Sequence, residues 1–339
     1  MSEHEVLPED SRERGKPAEP DAEPAEATSS SRLTDSAAVQ ASSYRYLRIA
    51  MVCLLLALAA AVFYQSSQQG SILASVSAYY YTPAQVIFVG ALIGLGASMI
   101  ALQGSTRAED MFLNLGGMFA IVVAAVPTGR GADFRTAVQA CRESGGTLLT
   151  HRASANLDCP TVLALQDASR ANVQDNMTAL LIVGGLILIL TAVILLKGKA
   201  AKRGSPGHWW VLAGFFAALL VWLGALIALA VSVDWLANNA HYIAAGGLLL
   251  SILLVAGANA HRKEKPRAGD ILKGNILKSP QDYRYTWVAG AMLVAAGVLI
   301  VLWLTSVISL FWVEILVALV FVLFWITQTV DFELEARTG

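Results

Sequence analysis

The stretch TALLIVGGLILILTAVILLK, residues 178–197, decides the fold because its only charge is Lys197 at the very end. A helix of about 20 apolar residues crosses the hydrocarbon core of a bilayer, which is about 30 Å thick. Lipid offers no hydrogen-bond partners, so the backbone of such a run must pair within a helix. Eight runs of this kind occur in the chain: 46–64, 83–103, 111–127, 178–197, 209–233, 239–260, 285–304 and 309–330. We therefore expect an all-α, polytopic transmembrane helix bundle of about eight spans.

The composition agrees with lipid as the main solvent. Of the 339 residues, 56% are hydrophobic and 14% are charged, whereas soluble domains carry about 25% charged residues. This excludes an ordinary soluble enzyme, a coiled coil and a wholly disordered chain.

The ends of the chain differ from its apolar body. Residues 1–40 contain ten acidic and four basic side chains and are rich in Pro, Ala and Ser, which predicts a disordered acidic cytoplasmic tail. We expect a transmembrane helical domain at 41–331, with an extracytoplasmic loop inserted at 128–177. Residues 332–339 are predicted to form a cytoplasmic C-terminal tail.

Basic residues predict the orientation, because Lys and Arg accumulate in short cytoplasmic loops. Arg45 and Arg48 lie at the start of the first run, the 65–82 loop carries no charge, and seven Lys and Arg fill the 262–284 loop. Bases thus alternate from loop to loop, as eight spans with both termini inside require. The 128–177 loop carries five Arg on the outer side, but long loops count less in this rule. The expected location is the cell membrane, with both termini cytoplasmic.

The outer loop contains Cys141 and Cys159 with seventeen residues between them. Oxidation is permitted outside the cytoplasm, so we predict a disulfide between them. The alternative is two free thiols. The third cysteine, Cys53, lies in an apolar run.

Polar residues inside the apolar runs mark the candidate site, because burying an ionisable group in lipid costs several kcal/mol. Glu314 is the only acid well inside a run, and His241 opens another. The predicted topology places both near the outer surface, together with Thr128 and the uncharged stretch before Pro83. The predicted ligand-binding residues at this outer side are Ser75, Ser77, Tyr79, Tyr80, Thr128, His241 and Glu314.

Three roles are open for His241 and Glu314. They could act as an acid and a base, ligate a metal, or form one hydrogen bond that ties two helices together, which is the favoured interpretation. A catalytic zinc site needs three or more ligands, and His241 is the only histidine of a span in this layer. We therefore expect no metal site and no cofactor. Glu109 and Asp110 are interpreted as interfacial residues beside Arg107 at the inner side.

Three segments carry a resemblance to a known family: SVSAYYYTPAQVIFVGALIGLGA (75–97), FLNLGGMFAIVVAAVPTG (112–129) and HYIAAG (241–246), with FWVEILVALVFVLFWI (311–326) as a fainter fourth. They resemble a family of uncharacterised bacterial multi-pass membrane proteins of unknown function. That family is distantly similar to the seven-helix membrane superfamily that includes the alkaline ceramidases. The resemblance implies that the family-pattern positions are Ser77, Tyr79, Tyr80, Thr128, His241 and Glu314. The Pro-Thr and His segments lie farther apart here than in the family pattern, and the family supplies no activity.

Three functions are consistent with these patterns. The first is a binding or sensing protein whose outer polar cluster receives a small molecule or lipid. The second is a membrane-embedded hydrolase acting through His241 and Glu314, and the third is a scaffold without ligand. The expected partners are the lipid bilayer and that small molecule or lipid, and nothing in the chain favours nucleic acid.

Overall fold

The structure, a computed structural model, describes residues 24–104, 106–130, 132–143, 158–197, 208–263, 284–305 and 307–338. Within these ranges the regular structure is helical and contains no strand. A short 3-10 helix, Ser77–Tyr81, lies between the first two α-helices. The α-helices, labelled in chain order, are α1 Pro24–Gln69, α2 Gln85–Ala101, α3 Arg107–Ala125, α4 Ala132–Glu143, α5 Cys159–Leu196, α6 His208–Val231, α7 Val233–Lys263, α8 Arg284–Leu304 and α9 Leu310–Thr338.

The chain divides into two compact units, Met1–Ser43 and Tyr44–Gly339. In the first unit, residues 1–23 lie outside the described residues. Helix α1 begins at Pro24, inside the segment 1–40 for which the sequence predicts disorder. The membrane helices and the candidate site belong to the second unit.

Among the residues that the structure describes, six helical segments are long and apolar enough to cross a membrane, and a seventh, α2, is apolar but has only 17 residues. The six segments are Ser42–Gln69, Arg107–Ala125, Cys159–Leu196, His208–Val231, Val233–Asn259 and Leu310–Thr327. Each of the eight predicted runs overlaps one helix, among α1–α3 and α5–α9. The chain is therefore an all-helical protein with the character of a multi-pass membrane protein.

Helices α5 and α9 extend far beyond the apolar runs that predict them, as α1 does at its start. Helix α5 begins at Cys159, well inside the predicted outer loop 128–177. The carboxylate of Asp158 accepts a hydrogen bond from the Thr161 N–H at 3.1 Å, and Pro160 occupies the first turn. These are strong helix-start signals that do not depend on hydrophobicity. Helix α9 likewise continues through most of the predicted tail 332–339.

A small separate core joins α4 to the start of α5. A disulfide links Cys141 to Cys159, and Val138 and Val162 are buried beside it. The part of the outer loop from 144 to 157 lies outside the described residues. The remaining cysteine, Cys53, is an exposed thiol on α1.

Close helix contacts position the candidate site. Helices α2 and α3 approach so tightly that a Cβ at Gly117 would lie 2.5 Å from the carbonyl oxygen of Gly96. On α7, a Cβ at Gly247 would lie 2.6 Å from the ring of Phe119 on α3. Small residues permit such approach in lipid, where packing rather than the hydrophobic effect holds helices together.

Helices α5 and α6 show the opposite pattern and expose their apolar side chains. Leu186 of α5 is 62% exposed and Leu220 of α6 is 70% exposed. No residue of α6 is buried. Apolar surface of this extent needs an apolar solvent, which a bilayer supplies.

Candidate ligand-binding site

The segment between α1 and α2 folds back onto the end of the helix bundle. Its 3-10 helix, Ser77–Tyr81, starts after Ser75, whose hydroxyl accepts a hydrogen bond from the Ala78 N–H at 3.1 Å. The Ala74 carbonyl accepts a second hydrogen bond from the Phe311 N–H at 2.9 Å, in the first turn of α9. The segment is therefore fixed to the start of α9.

Glu314 lies one turn into α9 and binds the same segment. Its Oε2 accepts a hydrogen bond from the Val76 N–H at 2.5 Å, and its Oε1 accepts one from the Ser77 hydroxyl at 3.3 Å. The Ser75 and Ser77 hydroxyls are 3.1 Å apart. The carboxylate thus satisfies a backbone donor at the start of the 3-10 helix, a position that favours negative charge.

Tyr79 and Tyr80 turn into the core. Tyr79 is fully buried, and its hydroxyl bonds with Ser66 of α1 and accepts from the Leu73 N–H at 3.2 Å. The ring of Tyr80 packs edge-on against Phe88 of α2, with centroids 6.3 Å apart. These two predicted site residues hold the segment in place and do not line the cavity described below.

His241 lies two turns into α7 and is 2% exposed. Its Nδ1 is 2.7 Å from the Val126 carbonyl oxygen, just beyond the end of α3. A carbonyl oxygen can only accept, so Nδ1 carries a proton. In the uncharged ring that tautomer leaves Nε2 as a hydrogen-bond acceptor.

A second polar layer adjoins His241. The Thr128 hydroxyl and the Tyr242 hydroxyl are 3.0 Å apart, and the Tyr81 hydroxyl donates to the Thr128 carbonyl at 2.7 Å. Thr128 is buried. Through these two hydrogen bonds it links the 3-10 helix to α7 at the end of α3. Burial raises the pKa of Tyr81, so its hydroxyl keeps the proton that this bond requires.

Arg130 connects this layer to the disulfide-linked helices. Its guanidinium lies 4.1 Å from the centroid of the Tyr81 ring and 5.5 Å from that of Phe134 on α4. Its Nε donates to the Ser169 hydroxyl of α5 at 3.4 Å. A guanidinium stacked on aromatic faces is held by cation–π attraction.

A cavity of about 190 Å³ lies directly inside this polar end of the bundle. Its polar lining consists of the side chains of Ser77, His241 and Glu314, and the rest is apolar. The apolar walls come from Leu55, Leu58, Ala59 and Val62 of α1, Val76, Phe88, Leu92 and Leu95 at and before α2, Val123 of α3, Ala245, Leu248, Leu249 and Ile252 of α7, and Ile315, Val317, Ala318 and Phe321 of α9. The cavity is thus amphipathic, with one polar end and a long apolar chamber.

The structure distributes the predicted site residues over three roles. Ser77, His241 and Glu314 share the cavity, Thr128 and Ser75 support it through hydrogen bonds, and Tyr79 and Tyr80 anchor the segment. The hydrogen bonds of His241 and Glu314 go to different partners, Val126 on one side and Val76 with Ser77 on the other.

Sequence reasoning missed four contributors: Ser66, Tyr81, Arg130 and Tyr242. Tyr81 and Tyr242 have the sequence signature of interfacial anchors, which hides a hydrogen-bonding role. Nothing in the sequence distinguishes Ser66 from other serines at helix ends.

A second buried polar pair lies at the opposite end of α3. The Asn259 amide of α7 donates to Glu109 Oε1 at 2.9 Å, and each residue is 2% exposed. Glu109 is thus buried against α7 although it lies in the first turn of α3. Asp110 stays near Arg107, with its carboxylate 3.7 Å from the guanidinium.

The part of the chain that the structure describes contains no group of three His, Cys, Asp or Glu side chains that could hold a metal ion.

Comparison with known proteins found no matching family model, no matching curated protein and no matching solved structure. The site must therefore be interpreted from its own geometry.

Proposed function

We propose that this protein is an integral protein of the cell membrane that binds an amphipathic small molecule or lipid in the cavity between α1, α2, α3, α7 and α9. The observation that carries the proposal is the cavity itself. Among its described lining residues the polar side chains are Ser77, His241 and Glu314, and they lie at one end. Ligand sites are typically apolar chambers with a few placed polar groups that orient the ligand.

The proposed topology has eight spans and cytoplasmic termini, with the polar end of the cavity at the outer face. It is supported by the overlap of the eight apolar runs with helices and by the alternation of basic loops. Membrane-impermeant thiol labelling of single cysteines tests it. A cysteine in the 262–284 loop should be protected in intact cells, and one in the 144–157 segment should be labelled. Equal labelling of both would contradict the topology.

The polar end of the cavity offers hydrogen-bond acceptors. Nε2 of His241 accepts in the uncharged ring. The Ser77 proton goes to Glu314, so the Ser77 oxygen can only accept, and it accepts from the Ser75 hydroxyl at 3.1 Å. The carboxylate oxygens of Glu314 accept as well. A matching ligand head therefore donates hydrogen bonds, as a hydroxyl or an ammonium does. A carboxylate head would face Glu314 without a donor.

Photolabelling tests the proposal. The protein in lipid nanodiscs is irradiated with an n-alkyl alcohol that carries a diazirine near the end of its chain, and the labelled residues are located by mass spectrometry. We expect label in the chamber walls, at 55–62 of α1, 245–252 of α7 and 315–321 of α9, and competition by unlabelled alcohol. Label confined to exposed faces such as that of α6, without competition, would contradict ligand binding and favour a scaffold.

A membrane-embedded hydrolase is the second candidate, favoured by the placement of His241 and Glu314 in one cavity. In such a reaction His241 Nε2 takes a proton from a water that attacks an ester carbonyl, and the alcohol leaves with that proton. The hydrogen bonds fit this less well, because in a Ser-His-acid triad the imidazole lies between the other two groups, whereas here Ser77 donates directly to Glu314.

An acyl-ester assay separates the two candidates. If the protein hydrolyses a long-chain ester and His241→Gln removes that activity while the fold is kept, the hydrolase is supported. If the ester binds and stays intact in both proteins, binding alone remains.

A further inference from the structure

A second, smaller cavity lies beside the deep end of the first. It has a volume of about 20 Å³ and is lined by residues of α7, α8 and α9. The two cavities share four lining residues, Leu249, Ile252, Val317 and Phe321. Beyond these shared side chains the far wall is made of Met292 and the small residues Ala295 and Ala296 of α8. Only a side-chain partition therefore separates the apolar chamber from further apolar space.

Phe321 is the largest member of this partition and is held rigidly. It is 4% exposed, and its ring packs edge-on against Trp325, with centroids 5.9 Å apart. Trp325 is itself 1% exposed and packs against Phe324 at 5.3 Å. The ring of Phe321 is therefore braced from the next turn of α9.

The position of Phe321 relative to the polar end gives it a defined role. It lies seven residues after Glu314 on the same helix, a distance of about 10 Å along the axis. A ligand whose head binds at Glu314 and His241 extends its chain along α9 and meets the Phe321 ring.

We propose that Phe321 sets the maximum chain length of the ligand, by closing the apolar chamber against the space beside α8. This inference rests on the proposed ligand-binding function. It identifies the ligand as a single-chain amphiphile whose tail ends at the partition. Removing the ring joins the two cavities, and enlarging it shortens the first one.

The test uses a series of n-alkyl alcohols of increasing chain length as competitors for the photolabel described above. For wild type we expect competition to strengthen with chain length and then to fall once the chain meets Phe321. Phe321→Ala should shift the optimum to longer chains, and Phe321→Trp should shift it to shorter ones. Leu319→Ala is the control, because Leu319 is 51% exposed and lines neither cavity. This variant should leave the optimal chain length unchanged.

Every variant is measured at the same concentrations of each alcohol in the lipid. Differences between variants in the preferred chain length therefore do not come from partitioning of the alcohols into the bilayer. Phe321→Leu provides a milder truncation if the alanine variant does not fold, and it should shift the optimum in the same direction as alanine. Opposite shifts for the smaller and larger residues exclude a general loss of packing. An unchanged optimum in all Phe321 variants would overturn the chain-length inference while leaving ligand binding in place. Failure of every alcohol to compete in wild type would instead overturn the proposed function.

Discussion

Glu109 and Glu314 are two carboxylates of the same helical core, and they are accommodated in different ways. Glu109, in the first turn of α3, is 2% exposed and accepts a hydrogen bond from Asn259. A Cβ at Gly104 would lie 2.7 Å from Glu109, so the surrounding packing is closed. Glu314 is half-buried, binds the backbone of Val76 and lines a cavity.

The two ends of α3 therefore carry different kinds of polar site. Glu109 and the Val126 carbonyl that holds His241 are seventeen residues apart, about 26 Å along the helix axis. At one end the acid completes a filled interface, and at the other the acid faces space that a ligand can fill. Of these two acids, Glu314 lines the cavity and Glu109 does not.

The largest expected effect comes from the covalent link at the cavity end, which has no counterpart at the Glu109 end. The Cys141–Cys159 disulfide closes a loop with a sequence separation of 18, and removing such a link costs about 3 kcal/mol in the chain-entropy model. Changing both cysteines to Ser should raise hydrogen exchange in α4 and in the first turns of α5. Exchange around Asn259 should stay unchanged, as it should everywhere in the control variant Cys53→Ser. If exchange rose equally in α4 and around Asn259, the two ends of the bundle would not differ in the way described.

The next effect concerns the closed end. Asn259→Ala removes the amide that donates to Glu109 and should lower the free energy of unfolding by about 1–3 kcal/mol. Alcohol binding should be unaffected, because Asn259 does not line the cavity. Unfolding in mixed detergent measures the loss, and Asn238→Ala, at an exposed position of α7, is the matched control. Weakened binding in Asn259→Ala would show that the two ends are coupled.

Matched glutamine variants compare the two carboxylates directly. Glu314→Gln keeps an acceptor and removes the charge, so an n-alkyl ammonium should lose about tenfold in affinity, since a hydrogen bond to a charged group contributes about 1.5–3 kcal/mol. The alcohol of the same chain length should be affected much less. Glu109→Gln should leave both affinities as in wild type. Competition against the photolabel provides the measurement, and tighter binding of an n-alkyl carboxylate than of the alcohol in wild type would contradict the assigned head chemistry.

The smallest expected effect distinguishes supporting residues from cavity residues. Tyr242→Phe removes the hydroxyl that bonds with Thr128 and should cost about 0.5–1.5 kcal/mol of stability. Because Tyr242 does not line the cavity, ligand affinity should change less than stability does. A large loss of affinity with unchanged stability would indicate that Tyr242 contacts the ligand.

The sequence predicts the helices well because lipid imposes a simple rule. Backbone groups without water must pair inside a helix, so long apolar runs overlap helices throughout. The rule fails where a helix leaves the lipid, as the polar first half of α5 does. There the start of the helix depends on the Asp158 cap and Pro160, which hydrophobicity does not report.

The sequence identifies the polar residues that line the cavity, but it does not identify their hydrogen-bond partners. Ser77, His241 and Glu314 are recognisable as polar residues in one predicted layer. Their partners are backbone groups, the Val76 N–H and the Val126 carbonyl, which lie 238 and 115 residues away along the chain. Every residue has such groups, so only the fold determines which of them is used. Tyr79 shows the same limit, because its side chain turns inward where an aromatic belt residue would face the interface.

Substitutions of two adjacent alanines of α1 test whether the cavity holds an amphiphile. Ala59 lines the cavity, whereas Ala60, about 100° farther around the helix, is exposed. Binding of the photoactivatable alcohol is measured for Ala59→Phe and Ala60→Phe in nanodiscs, with folding checked by size-exclusion chromatography. If the cavity holds the alcohol, Ala59→Phe abolishes specific labelling of the chamber walls, and Ala60→Phe is labelled as wild type is. Equal labelling of the two folded variants would contradict it.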